Sequence, residues 1–390
     1  MSKLSPILIW LVMRGMSFSP SPLCSQTLDF QGLLSGWGAV SAEKSTPSQL
    51  GFRWLPAFSL KKTIRGESLL DAELSLNAWA TADVHSSEDI RSRGRIKLYR
   101  VQARFSSPRL EARLGLQKIS LGSAAFLRPL MWFDRLDPRD PLQLTDGVYG
   151  LLLRTYFLNN TNIWLWGLYG NEDPKGWETL STAPKRPEFG GRVQTPLGKG
   201  ELAFSFHHRR AKIEAQPRVI PENRYGLDGK WDLGVGVWFE ASFIPQEDES
   251  LLCPRQRALT IGLDYTFDIG NGLHVLGEYF ELTSGKSRGA AADESVAGSS
   301  DTTRRDTFRF AAISLSYSLG LVDNLSGIVY YDRENRDAYT FFRWQRTYDR
   351  WNFHLMAFWN PERFRIYRTE ETDANLLAGK GIQVMVVFHY

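Results

Sequence analysis

From Gln26 to the C-terminus the chain keeps one rhythm, segments of roughly ten residues in which apolar and polar side chains alternate. A period of two puts every second side chain on the same face of a strand. The closing segment, Gly381 to Tyr390, is the plainest case. Ile382, Val384, Val386, Phe388 and Tyr390 share one face, against Gln383, Met385, Val387 and His389. Leu259, Ile261, Leu263, Tyr265 and Phe267 likewise oppose Thr260, Gly262, Asp264, Thr266 and Asp268. Trp351, Phe353, Leu355, Ala357 and Trp359 oppose Asn352, His354 and Asn360, and Leu202, Phe204 and Phe206 oppose Glu201, Ser205 and His207. Between Arg95 and Phe105 the apolar phase slips, from Ile96 and Leu98 to Val101, Ala103 and Phe105. One extra residue near Tyr99, a β-bulge, would produce that slip.

Apolar faces repeated this often need either a second layer or lipid against them. No stretch past the N-terminus approaches the ~20 consecutive apolar residues of a membrane helix, so a helical membrane protein is excluded. A β-propeller or large sandwich would show blade-length repeats, which this chain lacks. Aromatic residues are abundant, with 13 Trp, 14 Tyr and 23 Phe. Several (Trp54, Trp164, Trp166, Trp231, Trp344 and Trp359) fall near segment ends, where interfacial girdles lie. Short turns at Ile64–Glu67, Ser106–Arg109, Leu158–Asn162, Pro196–Gly200 and Ile269–Gly272 alternate with longer polar stretches. Those stretches are His85–Gly94, Asn171–Pro187, Ala211–Asn223, Pro245–Gln256, Gly285–Asp306 and Pro361–Gly379, with Arg333–Asp337 unusually short.

These features predict an all-β fold, a transmembrane antiparallel β-barrel with short periplasmic turns and long extracellular loops. The strand count is about eighteen if Arg224–Phe243 divides at a turn near Asp232–Gly236, with sixteen as the fallback. An even count puts both termini at the periplasmic rim. The closing strand then pairs with the first, Leu28–Val40, and removes the last open edge. Tyr390 would anchor at the inner interface.

Residues 1–25 read as an export signal. Lys3 gives a positive start, Pro6 to Met13 a short apolar run that Arg14 interrupts, and Ser25 before Gln26 a cleavage site. A disordered tail or a short buried helix is the alternative. Cys24 lacks the small residue expected before a lipidated cysteine, and removal of the signal leaves Cys253 as the only cysteine, so no internal disulfide is expected. The net charge of +4 is spread along the chain, which argues against nucleic acid. His207 and His208 are adjacent in a strand and point to opposite faces, a poor metal site. Lipase-type barrels resemble this chain in pairing Ser with His on the outer wall, but Ser205 and His207 are assigned inward and no third orienting group is evident. No catalytic residues, metal or cofactor are expected.

A barrel this wide holds water, and its inward side chains are polar. The inward set includes Arg100, Arg104, Glu111, Arg113, Arg192, Glu201, His207, Arg209, Lys230 and Asp264, with Gln102, Gln194 and Asp228 beside them. They either line a pore or pair across strands. The segment Leu121 to Gly147 is the most distinctive in the chain. Its three prolines forbid regular strand pairing, and Phe126, Leu130, Met131, Trp132 and Phe133 have no reason to sit in water. Folded into the lumen, it would hold Arg128, Asp134, Arg135, Asp137, Arg139 and Asp140 across the channel as its constriction. An extracellular cap is the other arrangement.

The run R-L-G-L-Q-K-I-S-L-G from Arg113, leading to W-F-D-R-L-D-P-R-D-P, resembles a strand and following loop of porin-like Gram-negative outer-membrane proteins. It is similar in particular to barrel proteins of Bacteroidetes, although Leu116 stands where such motifs often carry Arg. The closing strand, through Phe388 and Tyr390, resembles the C-terminal signal read by the machinery that inserts outer-membrane barrels. The resemblance implies a channel in the outer membrane of a Gram-negative bacterium, passing small polar or charged solutes by diffusion, and it names no substrate. Its partners would be outer-membrane lipid and the assembly machinery, with homo-oligomerisation left open. A plugged barrel acting as enzyme, adhesin, or export or assembly component is the alternative.

Overall fold

The computed structural model describes residues 26–42, 48–65, 67–84, 89–135, 140–178, 180–213, 218–245, 255–285, 305–361 and 377–390. The export signal, Cys24, Cys253, Asp137 and Arg139 lie outside the described residues.

Strands form where the two-residue alternation predicts them. They are β1 (Gln26–Ser41), β2 (Ser48–Arg65), β3 (Ser68–Val84), β4 (Ile90–Ser106), β5 (Leu110–Gln117), β6 (Val148–Tyr156) and β7 (Asn162–Leu168). Then follow β8 (Ser181–Thr182), β9 (Glu188–Leu197), β10 (Gly200–Ile213), β11 (Arg218–Asp232), β12 (Gly236–Ile244) and β13 (Gln256–Phe267). The last are β14 (Leu273–Gly285), β15 (Arg305–Ser318), β16 (Asp323–Asp332), β17 (Asp337–Thr347), β18 (Trp351–Trp359) and β19 (Lys380–His389). The two-residue β8 pairs with β10 inside the β7–β9 connection, and the other strands form a closed antiparallel barrel of eighteen. The predicted division of Arg224–Phe243 is real, because β11 ends at Asp232 and β12 begins at Gly236.

Closure comes from β19 against β1, from Leu33 opposite His389 to Ser41 opposite Gly381. Gly32 and Tyr390 extend it by exchanging backbone hydrogen bonds of 3.1 and 3.2 Å. Among the described residues every strand of the barrel then has a ladder partner on both sides, as lipid requires. Tyr390 sits at the short-turn rim, where its hydroxyl accepts a 2.8 Å hydrogen bond from Trp54 Nε1. A Cβ on Gly32 would collide with the Tyr390 ring, so only glycine admits this packing. The bulge falls as the phase slip requires, since Ser75 faces Arg100, Leu76 faces Leu98, and Tyr99 has no partner in the β3–β4 ladder.

The outward faces are apolar and exposed, among them Phe52, Phe204, Ile261, Ile313, Phe342 and Val384. Trp54, Trp231, Trp344 and Trp359 lie on outward faces, as girdle residues do. Trp164 and Trp166 are a correction to the girdle expectation, because both face inward. Trp166 is buried and donates to His207, and Trp164 packs under the Arg154 guanidinium. Their place at segment ends gave no hint of this, since the partners that need them come from other strands.

Candidate functional site

The 118–147 connection between β5 and β6 folds into the barrel. Its apolar residues make two distinct contacts. Ile119, Leu121, Leu130, Trp132 and Phe133 pack on Val148 and Leu152 of β6 and on Trp166 and Leu168 of β7. Leu127 and Met131 join a larger cluster with Ala258 of β13, Phe280 and Leu282 of β14, Phe310 of β15, Tyr330 of β16, Tyr339 and Phe341 of β17, and Met356 and Phe358 of β18. Burying a large apolar side chain is worth about 1.5–3 kcal/mol, so the segment has strong reason to stay inside.

Polar groups fix its position. A segment without regular structure leaves backbone amides unpaired, and buried amides need acceptors. Two wall carboxylates supply them. Glu278 of β14 accepts from the backbone amides of Ala125 (2.6 Å), Phe126 (2.9 Å) and Leu127 (2.9 Å), and from Trp238 Nε1 (3.0 Å). Glu240 of β12 accepts from the amides of Ala124 and Leu130. Thr260 of β13 donates to the Leu127 carbonyl, and Trp132 Nε1 donates to Ser242 Oγ at 3.2 Å. The same carboxylates have to be approached closely by the chain. Gly122, at φ +83°, lies so close to Glu240 that a Cβ would fall 2.1 Å from Oε2. Gly122→Ala should therefore loosen the segment, through both the collision and the left-handed backbone. Increased protease sensitivity of the folded protein at this segment would register it, and unchanged sensitivity would refute it.

Of the six residues expected at a constriction, the four described ones separate in the structure. Arg128 and Asp134 are buried and paired at 3.1 Å, with Ser120 donating to Asp134 (2.8 Å) and Arg128 also donating to Ser120 and to the Leu121 carbonyl. Burial disfavours the Arg128 cation, but Asp134, Glu240 and Glu278 outweigh it and hold the guanidinium above its ordinary value. Arg135 donates its backbone amide to Thr145 Oγ1, and Asp140 caps the turn at Leu142 by a 2.9 Å bond. Asp137 and Arg139 are outside the described residues.

The residues expected to line the lumen do face inward, and most carry partners. Arg192 makes a two-point ion pair with Asp228 (2.6 and 2.8 Å) and also donates to Ser205 Oγ. Arg104 pairs with Asp71 (2.8 Å), Arg113 with Glu111 (2.8 Å), and Glu201 accepts from Gln194 (2.6 Å). Arg100 donates to the Thr145 carbonyl at 2.9 Å, and Asp264 lies 3.4 Å from His274. Lys230 stays exposed, with its ammonium near the Trp238 ring. His207 accepts from Trp166 at Nδ1 (3.1 Å), so its Nε2 carries the proton toward Glu188 Oε2 (3.1 Å). Ser205 and His207 are thus engaged with Arg192 and with Trp166 and Glu188, respectively.

A brace from a second loop was not legible in the sequence. Arg209 and Arg224, both fully buried, share Glu222 of β11 and Glu178 of the β7–β9 connection, with contacts of 2.6 to 3.0 Å. Next to Glu178, Trp177 donates to the Arg128 carbonyl at 2.8 Å and stacks on Phe280 at 4.9 Å. Glu178, Glu222, Arg224, Glu240 and Glu278 were all missed. Glu240 and Glu278 had one available signal, namely carboxylates at inward positions of otherwise apolar strands.

The inward faces of β1–β4 differ from those of β6, β7 and β12–β18. None of their described residues belongs to the apolar clusters. They carry Ser35, Gln49, Arg53, Ser75, Asn77, Asp83, Arg93, Arg95 and Lys97. Lys97 reaches across to Asp146 at 2.6 Å. Burial would raise the Asp146 carboxyl, but the Lys97 hydrogen bond and charge prevail and hold it below the usual carboxylate range.

No protein-family model and no curated protein sequence matches the chain. Its fold is nevertheless similar to solved structures. OccAB4 of Acinetobacter baumannii matches with a TM-score of 0.56 at 8% identity, over 94% of this chain and 99% of that one. OccD3 (OpdP) of Pseudomonas aeruginosa matches with a TM-score of 0.55 at 10% identity, over 94% and 91%. OmpF of Salmonella typhi, solved with daunomycin, matches with a TM-score of 0.51 at 11% identity, over 93% and 97%. At such identities the likeness concerns architecture: the chain has the closed all-β barrel fold of outer-membrane porins.

Proposed function

We propose that this protein is an outer-membrane channel that lets small polar or charged solutes diffuse passively across the membrane. The observation that carries the reading is the asymmetry of the lumen. One side is filled where the 118–147 connection packs on β6, β7 and β12–β18, while the β1–β4 side keeps a polar, charged wall. Filling half of a wide barrel narrows a water path without closing it. The path then runs between Arg53, Arg95 and Lys97 on the wall and Asp140 and Asp146 on the segment, with Arg343 of β17 close enough to feel Asp140. Arg135 and Asp140 remain as constriction residues in this scheme, and the same role is kept for Asp137 and Arg139. Arg128 and Asp134 support the segment's fold instead. The reading involves no catalytic step, since Ser205 and His207 are held by other partners. Residues 1–25 serve as the export signal and Phe388 and Tyr390 as the mark for assembly.

Purified protein in a planar bilayer should give discrete conductance steps. A silent bilayer with protein that keeps its barrel would overturn the channel and leave a plugged barrel. Reversing the wall charge in Arg95→Glu with Lys97→Glu should shift selectivity roughly severalfold toward cations, because rings of charge set which ions pass. An unchanged reversal potential would remove the β1–β4 side from the path.

A further inference from the structure

We infer that residues 26–31 of β1 form a strand-addition site for an extended segment of a periplasmic protein, apolar at alternate positions and acidic at its end. The site lies outside the water path, and it rests on the outer-membrane reading only in that the short-turn rim faces the periplasm. β19 pairs with β1 from Leu33 to Ser41, and Tyr390 with Gly32. Residues 26–31 are laddered to β2 alone among the described residues, from Gln26 opposite Lys62 to Gln31 opposite Ala57. Tilt makes a ladder row climb by about one residue per strand, so the level of Tyr390 meets β2 near Phe58. β2 runs on to Arg65, opposite Ser68 of β3. About seven residues, rising about 3.3 Å each at a tilt near 40°, carry this hairpin roughly 17 Å beyond that level. The β17–β18 hairpin has already turned there, where the His389 amide donates to the Arg350 carbonyl at 2.8 Å, so it does not cover residues 26–31.

The open edge has the chemistry of half a ladder. Gly32 and Tyr390 exchange both of their backbone hydrogen bonds, and alternate residues of an antiparallel strand face the same partner. Leu28 and Phe30 therefore aim their N–H and C=O groups at the open side, while Thr27 and Asp29 face β2. Proteins usually blunt such an edge with proline, lysine or a bulge. Residues 26–31 carry none of these, and their one charge, Asp29, points to the inner face. On the outer face Phe30 packs with Phe58 at 4.5 Å and with Tyr390 at 5.4 Å, which marks the aromatic row of this rim. Leu28, Leu60, Ile64 and Leu70 are exposed beyond that row, on its periplasmic side.

A row of backbone donors and acceptors at strand spacing is matched by another backbone. A strand continuing the line of β19 would run antiparallel to β1 and take up the open groups of Leu28 and Phe30. Apolar side chains at its alternate positions would extend the exposed patch of Leu28, Leu60 and Leu70. Its far end would lie beside Gln26 and Thr27, two strand spacings or roughly 10 Å from Lys62 and Lys61. Both lysines are exposed and have no ion pair among the described residues, so carboxylates at that end complete the fit.

The test uses the full-length protein in detergent and, as probe, a short acetylated peptide of alternating Val and Thr that ends in two Glu. Hydrogen exchange at single-residue resolution should show the Leu28 and Phe30 amides slowed by roughly tenfold at saturation, with Thr27 and Asp29 unchanged. Peptide methylated on the amide nitrogens that face β1 should not bind, and Gln in place of its Glu should weaken binding by roughly threefold. Leu28→Pro removes a donor on the open side and spares the β2 ladder, so it should weaken binding by on the order of tenfold. Wild-type bilayer conductance shows that this variant is folded, and if it misfolds the methylated peptide decides alone. Equal binding of the methylated peptide, or wild-type binding by folded Leu28→Pro, would overturn the site. So would Leu28 and Phe30 amides that are already slow without peptide. Slowing that grows with protein concentration puts a second copy on the edge, and slowing that does not puts this chain's own residues there. Binding and conductance are read separately, so a silent channel that still binds the peptide leaves the site standing.

Discussion

Replacing Glu278 by glutamine should release the inward segment from the wall and expose larger, noisier conductance states. Four donors converge on this one carboxylate, three backbone amides of residues 125–127 and the indole of Trp238. Glutamine keeps one acceptor oxygen and turns an NH₂ toward donors. Hydrogen bonds to a buried charged group are worth about 1.5–3 kcal/mol each, and stranding their partners adds desolvation. A loss near 3 kcal/mol would raise the undocked population by roughly a hundredfold. Glu240, which holds Ala124 and Leu130, should keep the segment from leaving entirely, so Glu240→Gln with Glu278→Gln should go further. Single-channel recording reads the effect, with Glu281→Gln on the outward face as control. Wild-type steps and noise in the double variant would mean that apolar packing alone holds the segment.

Arg224→Leu should destabilise the barrel and unfasten the β7–β9 connection. Arg209 and Arg224 compensate Glu178 and Glu222 in a site nearly closed to water. Removing one cation leaves two carboxylates to share the other, and breaking such a buried pair typically costs about 3–5 kcal/mol. Glu178 anchors the loop whose Trp177 braces the Arg128 carbonyl, so the damage should reach the lumen. Thermal unfolding should begin at lower temperature, with new protease cleavage in the 169–180 stretch. Arg224→Leu with Glu222→Leu should recover much of the loss, because Arg209 and Glu178 remain paired and an apolar pair replaces the deleted ions. A double variant no more stable than Arg224→Leu alone would rule out charge imbalance as the cause.

How much of this was legible beforehand differs between wall and site. The alternation placed the strands, and the phase slip at Tyr99 located the bulge, because each depends only on the order of neighbouring residues. Trp164 and Trp166 were misassigned because position along a segment says nothing about which face a neighbour will need. Arg128 and Asp134 looked like pore charges, yet they lie six residues apart and close on each other within the segment. Glu240 and Glu278 act on residues more than a hundred positions away, a separation that no local pattern encodes.

The sequence by itself determined that this chain closes into a barrel, pointed to about eighteen strands and placed most of the side chains that meet lipid. A strand's period of two and the need to pair every edge in lipid leave no other solution. Only the tertiary structure decided what fills the interior. Inward side chains come from all round the barrel, and which carboxylate takes which amide depends on a loop's path through space. That path left the β1–β4 wall polar and covered the opposite side with an apolar core.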